Sequence, residues 1–134
     1  MAEIGFTHVS LPVTDLDRSV EFYSRWAGMH LVDRLKDPGT GAEAARLSDG
    51  QRQFALALVK TGRPVDNAFT FPAHLGVGCA SRSEVERLAA DAATEGCLYK
   101  EPVAAGFPLG FWTLLSDPDG HHLELSFGQN DKDA

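Results

Sequence analysis

Three residues far apart in the chain, His8, His74 and Glu124, are of the types that together hold a divalent transition metal. Two neutral imidazoles and one carboxylate are a standard ligand set for iron(II), and they also suit manganese, nickel or zinc. Three protein ligands leave positions open for water or substrate, which a catalytic metal needs and a structural one does not. One such ion would act as a Lewis acid, holding two adjacent oxygens of a small substrate or stabilising an oxyanion. His122, two residues before Glu124, adds a candidate catalytic imidazole that could serve as general base or orient Glu124 or the substrate. This chemistry requires the surrounding elements to turn all of these side chains toward one hollow.

The elements repeat. Phe6 to Val13 reads as a strand in which Val9, Leu11 and Val13 alternate with His8, Ser10 and Pro12. Thr14 and Asp15 offer a helix N-cap. Leu16, Val20, Tyr23 and Ala27 follow on one helical face, and Gly28 suits the position just past the helix end. Strands are predicted over Met29 to Leu35, Ala42 to Ser48 and Gln53 to Lys60, the last two joined around the hairpin dipeptide Asp49-Gly50. Residues 61–72, with Gly62, Pro64 and Pro72, read as a linker. The order then recurs: a strand from Ala73 to Cys79, then a helix opened by Ser81 with Glu84 as a capping box. Its apolar face is Val85, Leu88, Ala89 and Ala92, and Gly96 ends it. A short strand from Cys97 to Glu101 and a loop from Pro102 to Gly110 follow. Strands at Phe111–Ser116 and His121–Phe127 flank the turn Asp117-Pro118-Asp119-Gly120. Gln129 to Ala134 is a polar tail. His8 precedes its cap Asp15 by seven residues and His74 precedes Ser81 by seven, so a shift of 66 superposes the halves. Such repetition is stronger evidence than any single strand assignment. The expectation is one α+β domain of two βαβββ modules, residues 5–60 and 73–128, forming a cupped mixed sheet.

Strand alternation sorts the faces. Val9, Leu11 and Val13 should meet the first helix, leaving His8 and Ser10 on the cavity side. In the last strand Leu123, Leu125 and Phe127 form the apolar set, and His122, Glu124 and Ser126 take the cavity side. Gly76 and Gly78 leave room beside His74. Trp112 and Leu114 share a strand face and could wall an apolar pocket with Phe54, Leu56 and Leu58. Ser10 and Ser126 are substrate-lining candidates through their hydroxyls. His121 should lie on the opposite face near the turn, and His30 on the strand surface. The carboxylates of the Asp-Pro-Asp-Gly turn are expected to point to solvent.

Bulk properties narrow the partners. Acidic residues number 19 against 12 basic ones, a net charge of −7. That balance disfavours nucleic acid, which needs a Lys/Arg-rich surface, and an anionic membrane surface. No stretch approaches the roughly 20 apolar residues of a membrane span. The start of the chain has neither a basic flank nor a long apolar run, so no signal peptide is expected. Cys79 and Cys97 form no CxxC pair and read as reduced thiols; with no signal peptide expected, the cytoplasm is the expected compartment.

The segments HVSLPVTDLDRSVEFYSRWAG and LSDPDGHHLELSFG resemble the opening and closing motifs of the glyoxalase/bleomycin-resistance/dioxygenase superfamily, also called vicinal oxygen chelate proteins. The resemblance covers about residues 5–128. It implies the paired βαβββ fold, metal ligands at His8, His74 and Glu124, and a homodimer acting on a small molecule. The repeat adds a fourth position: Glu124 follows His74 by 50 residues, and the same step from His8 reaches Leu58. In glyoxalase I relatives that position is a metal-binding glutamate, and in related epimerases a glutamine. Leucine can play neither part, which argues against glyoxalase I and epimerisation. Any base must then come from His122, a hydroxide on the metal or the substrate. Extradiol dioxygenases carry a tyrosine where this chain has Leu114. Fosfomycin-resistance thiol transferases match in length and, with a threonine, at Ser10. Their lysine and serine-rich loop are not reproduced. A lyase, thiol transferase or dioxygenase therefore stays open, with a metal-free, drug-sequestering binding protein of the bleomycin-resistance type as the alternative.

Overall fold

A computed structural model describes residues 4–131; residues 1–3 and 132–134, the latter the end of the expected polar tail, lie outside the described residues. The chain divides into two compact units, residues 1–68 and 69–134. Each is a βαβββ module of the glyoxalase-like α+β fold.

In the first unit, β1 (His8–Val13) leads to α1 (Leu16–Trp26), followed by β2 (His30–Lys36), β3 (Glu43–Ser48) and β4 (Ala55–Lys60). The sheet runs β1, β4, β3, β2, with β1 and β4 parallel and the other pairs antiparallel. Asp15 caps α1 by accepting from the Arg18 amide at 3.1 Å. The buried face of α1 is Leu16, Ser19, Phe22, Tyr23 and Trp26, while Val20 is only half-buried. The expected face is thus rotated, because Phe22 and Trp26 are the larger apolar bodies and take the core. Against that face lie Leu11, Val13, Ala45, Leu47, Leu56 and Leu58. Asp49-Gly50 does not make a two-residue hairpin. Residues 49–54 form a longer loop, in which Asp49 accepts from the amides of Gln51 and Arg52.

Ser19 is fully buried, and its hydroxyl is the one buried side-chain polar atom among the described residues without a hydrogen-bond partner. Desolvating an unpaired hydroxyl is unfavourable, and alanine is the better helix former. Ser19→Ala is expected to stabilise the protein by about 1 kcal/mol, read as a higher urea midpoint at an unchanged slope.

In the second unit, β5 (Leu75–Gly78), α2 (Arg82–Glu95), β6 (Leu98–Ala104), β7 (Phe111–Ser116) and β8 (His122–Phe127) form a sheet ordered β5, β8, β7, β6. Ser81 caps α2 through the Glu84 amide, and Glu84 Oε2 reaches back to the Ala80 amide at 3.0 Å, one residue earlier than the usual box. Gly96 ends the helix in the left-handed region at φ 82°. Val85, Ala89 and Ala92 pack on the sheet with Leu115, Leu123 and Leu125 among the buried residues. β6 runs through Pro102 and Val103, where a loop was expected. Pro102 is tolerated because β6 is an edge strand, and the register shifts there absorb its missing amide.

Candidate functional site

In the first module His8 and Ser10 occupy the sheet face opposite α1. They line a concavity of about 470 Å³ together with Phe54, Ala57, Arg46 and Arg52. Both guanidinium groups are partnered. Arg46 forks onto Asp33, and Arg52 bridges Asp49 at 3.0 Å. The Arg46 hydrogen bond holds the Asp33 carboxyl below its ordinary range. His8 Nδ1 lies 2.9 Å from Thr7 Oγ1.

Leu58 does not line this concavity. It pairs with Leu11 and is fully buried on the α1 side. The cause is a one-residue difference between the halves. Ser10 pairs with Ala57 in β4, whereas Gly76 pairs with Glu124 in β8. The first strands are offset by 76 − 10 = 66 and the last by 124 − 57 = 67. The counterpart of Glu124 is therefore Ala57, on the open face. Alanine has no ligating or proton-transferring atom either, so the argument against a fourth ligand moves from Leu58 to Ala57.

In the second module His122, Glu124 and Ser126 share a face with their β7 partners Ser116, Leu114 and Trp112. Leu114 and Ser126 are buried, and Trp112 is half-buried. His74 stands just before β5. Its Nδ1 lies 2.8 Å from the Pro72 carbonyl oxygen, to which only a ring N–H can donate. Nε2 of that ring lies 3.4 Å from Glu124 Oε2; it is a lone pair in the neutral ring and an N–H in the imidazolium. In the neutral tautomer two acceptors therefore face each other. A Cβ on residue 76 would come within 3.2 Å of the same oxygen, so Gly76 keeps that side of the carboxylate clear. Gln129 Nε2 sits 3.4 Å from both carboxylate oxygens.

The two histidines of the closing turn clasp the strap at residues 69–72. The Phe69 amide donates to His121 Nδ1 at 2.8 Å, and the Phe71 amide to His122 Nδ1 at 2.9 Å. The His122 amide in turn donates to the Phe69 carbonyl at 2.8 Å. His121 is therefore a buried anchor. Asp117 is also buried rather than solvent-directed, and its carboxylate accepts from the amides of Asp119 and His121. With Nδ1 of His122 engaged as an acceptor, the neutral ring carries its proton on Nε2. That makes His122 a hydrogen-bond donor toward the site. His122 was expected as a general base or as a group orienting Glu124 or the substrate; the strap occupies one of its two ring nitrogens. Sequence periodicity could not reveal this, because the partners are backbone amides some 50 residues away. Tyr99 and Phe71 were also missed as site residues. Tyr99 covers the His122 ring at a centroid distance of 4.0 Å. It sits where β6 shifts register, and alternation gives no signal there.

Burial, and next the nearby His74, push the His122 pKa below its ordinary value, with Asp117 opposing. A histidine held neutral in the fold takes up protons more readily when unfolded. Stability therefore rises with pH across the window from the depressed folded pKa up to about 6.5, and falls as pH drops through it. His122→Asn places an amide oxygen near the position of Nδ1 and cannot titrate. Metal-free His122→Asn is expected to show a flatter urea stability profile than the parent between about pH 5 and 7. An unchanged slope would contradict a His122 pKa depressed by burial in the fold. Cys79, half-buried near Glu84, is pushed up to about 11 by burial, so it is no nucleophile at neutral pH.

Among the described residues no three His, Cys, Asp or Glu side chains form a metal-sized cluster; the His74–Glu124 pair is what the second module supplies. No helix among them is long and apolar enough to cross a membrane.

Comparison with known proteins places this arrangement. The family model described as Glyoxalase/Bleomycin resistance protein/Dioxygenase superfamily matches residues 5–125. An uncharacterised protein of Pseudomonas aeruginosa is 35% identical over 125 residues, 92% of this chain and 88% of that protein. Among solved structures, the trypanothione-dependent glyoxalase I of Leishmania major aligns with a TM-score of 0.73 and 22% identity, covering 93% of this chain and 87% of that one. A glyoxalase/bleomycin resistance protein/dioxygenase domain from Frankia aligns at 0.71 and 24%, covering 96% and 100%. A fosfomycin resistance protein of Listeria monocytogenes, complexed with Mn(II) and a dihydroxypropylphosphonic acid, aligns at 0.72 and 17%, covering 93% of each chain. The solved structures speak for the fold, and the family match spans most of the sequence. The chain belongs to the glyoxalase/bleomycin resistance protein/dioxygenase superfamily.

Proposed function

We propose that this protein is a divalent-metal-dependent enzyme acting on a small, oxygen-rich or electrophilic substrate, with His8, His74 and Glu124 as the metal ligands. The observation that carries the reading is His74 Nε2, its ring oriented by the Pro72 carbonyl, lying 3.4 Å from Glu124 Oε2. Two opposed acceptors repel unless a proton or cation stands between them, and the Nδ1–H to carbonyl bond behind His74 is the outer contact that fixes a metal-ligating tautomer. The set fits iron, manganese, nickel or zinc. When bound, the ion supplies Lewis acidity toward substrate oxygens.

The chain's own residues bind and orient. His122 donates from Nε2 to a substrate oxygen. Tyr99 shields that ring from water, and Trp112 and Leu114 give the face its apolar wall. In the first module Ser10 and Phe54 contact substrate beside His8. The reading takes the two modules as one functional unit and the protein as a cytoplasmic homodimer. With Ala57 and Leu114 on the open faces, no side chain takes the place of a carboxylate base or an extradiol tyrosine. The reaction draws its base from water or from the substrate itself.

Metal analysis of protein purified without chelators tests this. About one equivalent of a transition metal per chain, or its restoration on adding Mn, Fe, Ni or Zn salts with a rise in melting temperature, is the expected result. Less than roughly a tenth of an equivalent, with none restored, would overturn it and favour a metal-free binding protein.

A further inference from the structure

Beside the His74–Glu124 pair the second module holds a row of flat rings. The Phe71 and Trp112 rings lie within 7° of parallel at 6.1 Å between centroids, and Phe71 stacks on the His74 ring at 5.4 Å and 21°. Phe71 is 52% exposed and Tyr99 60% exposed, although both are large and apolar. Phe71 is held on the strap by its amide hydrogen bond to His122 together with these ring contacts. Besides the Glu124 carboxylate, the polar groups near this row include two donors, the Nε2–H of His122 and the Lys100 ammonium, the latter 5.9 Å from the centre of the Trp112 ring. Aligned rings present flat faces that favour a planar π-system over a puckered one, because only a flat partner keeps dispersion contact over its whole area. Donors at the edge of such a row favour an anionic or strongly accepting oxygen on the same ligand.

We infer that the site takes a planar conjugated ligand bearing an anionic oxygen, its ring laid on the Phe71–Trp112 row and its oxygen directed to His122 Nε2 and Lys100. This substrate class rests on the proposed reading of the His74–Glu124 face as the reactive site. It narrows "small and oxygen-rich" to flat molecules and sets saturated or tetrahedral ligands at a disadvantage.

The test compares 2-hydroxybenzoate with its saturated counterpart, 2-hydroxycyclohexanecarboxylate, by isothermal titration calorimetry with EDTA and again with Mn(II). The expected result is a preference of about tenfold or more for the planar ligand in both conditions. Phe71→Leu and Trp112→Leu keep the apolar bulk and remove a ring, and each should cut the preference to about twofold or less. Upfield ring-current shifts of the benzoate protons in the NMR spectrum, present in the parent and reduced in Phe71→Leu, give a readout independent of affinity. Equal affinity for the two ligands overturns the inference, as does a preference that survives both substitutions. A planar preference that persists in a protein unable to bind metal leaves this inference standing and sinks the metal reading. Metal binding without the preference does the reverse.

Discussion

Glu124→Gln is expected to make the metal-free protein more stable while abolishing most of its metal affinity. In the neutral His74 tautomer that a metal would bind, the carboxylate oxygen and the Nε2 lone pair face each other at 3.4 Å. Glutamine keeps the length and shape of the side chain and offers an amide N–H₂ that can donate to Nε2. One repulsive contact becomes one hydrogen bond, worth about 1 kcal/mol in urea unfolding with EDTA present. The same change removes the anionic ligand, so Mn(II) binding should fall at least ~100-fold, beyond what loss of an outer contact does. The opposite signs are the point. Ordinary loss of a buried group lowers both quantities. A Glu124→Gln variant that binds Mn(II) like the parent would remove Glu124 from the ligand set. A destabilised apo variant would refute the opposed-acceptor account.

His121→Leu is expected to destabilise the fold by about 2–3 kcal/mol, although leucine is apolar and the site is fully buried. The loss is polar in origin. The Phe69 amide would keep its burial and lose the ring nitrogen it donates to at 2.8 Å. His121→Asn sets an amide oxygen near the same point and should recover at least half of that loss, despite being smaller. The clasp also fixes Pro72, whose carbonyl holds the His74 ring. Mn(II) affinity should therefore drop about tenfold in His121→Leu and partly return in His121→Asn. Equal destabilisation by Leu and Asn would make the site one of packing alone.

Much of this architecture was legible because it rests on local physics. The caps at Asp15 and Ser81, the αL glycine at 96, and the alternation that puts His122 and Glu124 on one face each follow from a few neighbouring residues. The repeat located His74 and Glu124 within the same module. What escaped was non-local. A one-residue length difference between halves is invisible until strands pair, and it moved the fourth position from Leu58 to Ala57. The extension of β6 through Pro102 depends on its being an edge, a fact of topology rather than composition. The donor character of His122 depends on an amide 51 positions upstream. The segment at 69–72 read as linker because its Pro and exposed aromatics carry no periodicity; its order is imposed by the turn that follows β7.

The pairing of Ser10 with Ala57, where the other half pairs Gly76 with Glu124, has an electrostatic side. A duplicated blueprint carries its carboxylate in one copy and a methyl group in the other. An anionic group can therefore approach the open face of the first sheet at Ala57 without meeting a fixed carboxylate at that register, as it would at Glu124 in the second.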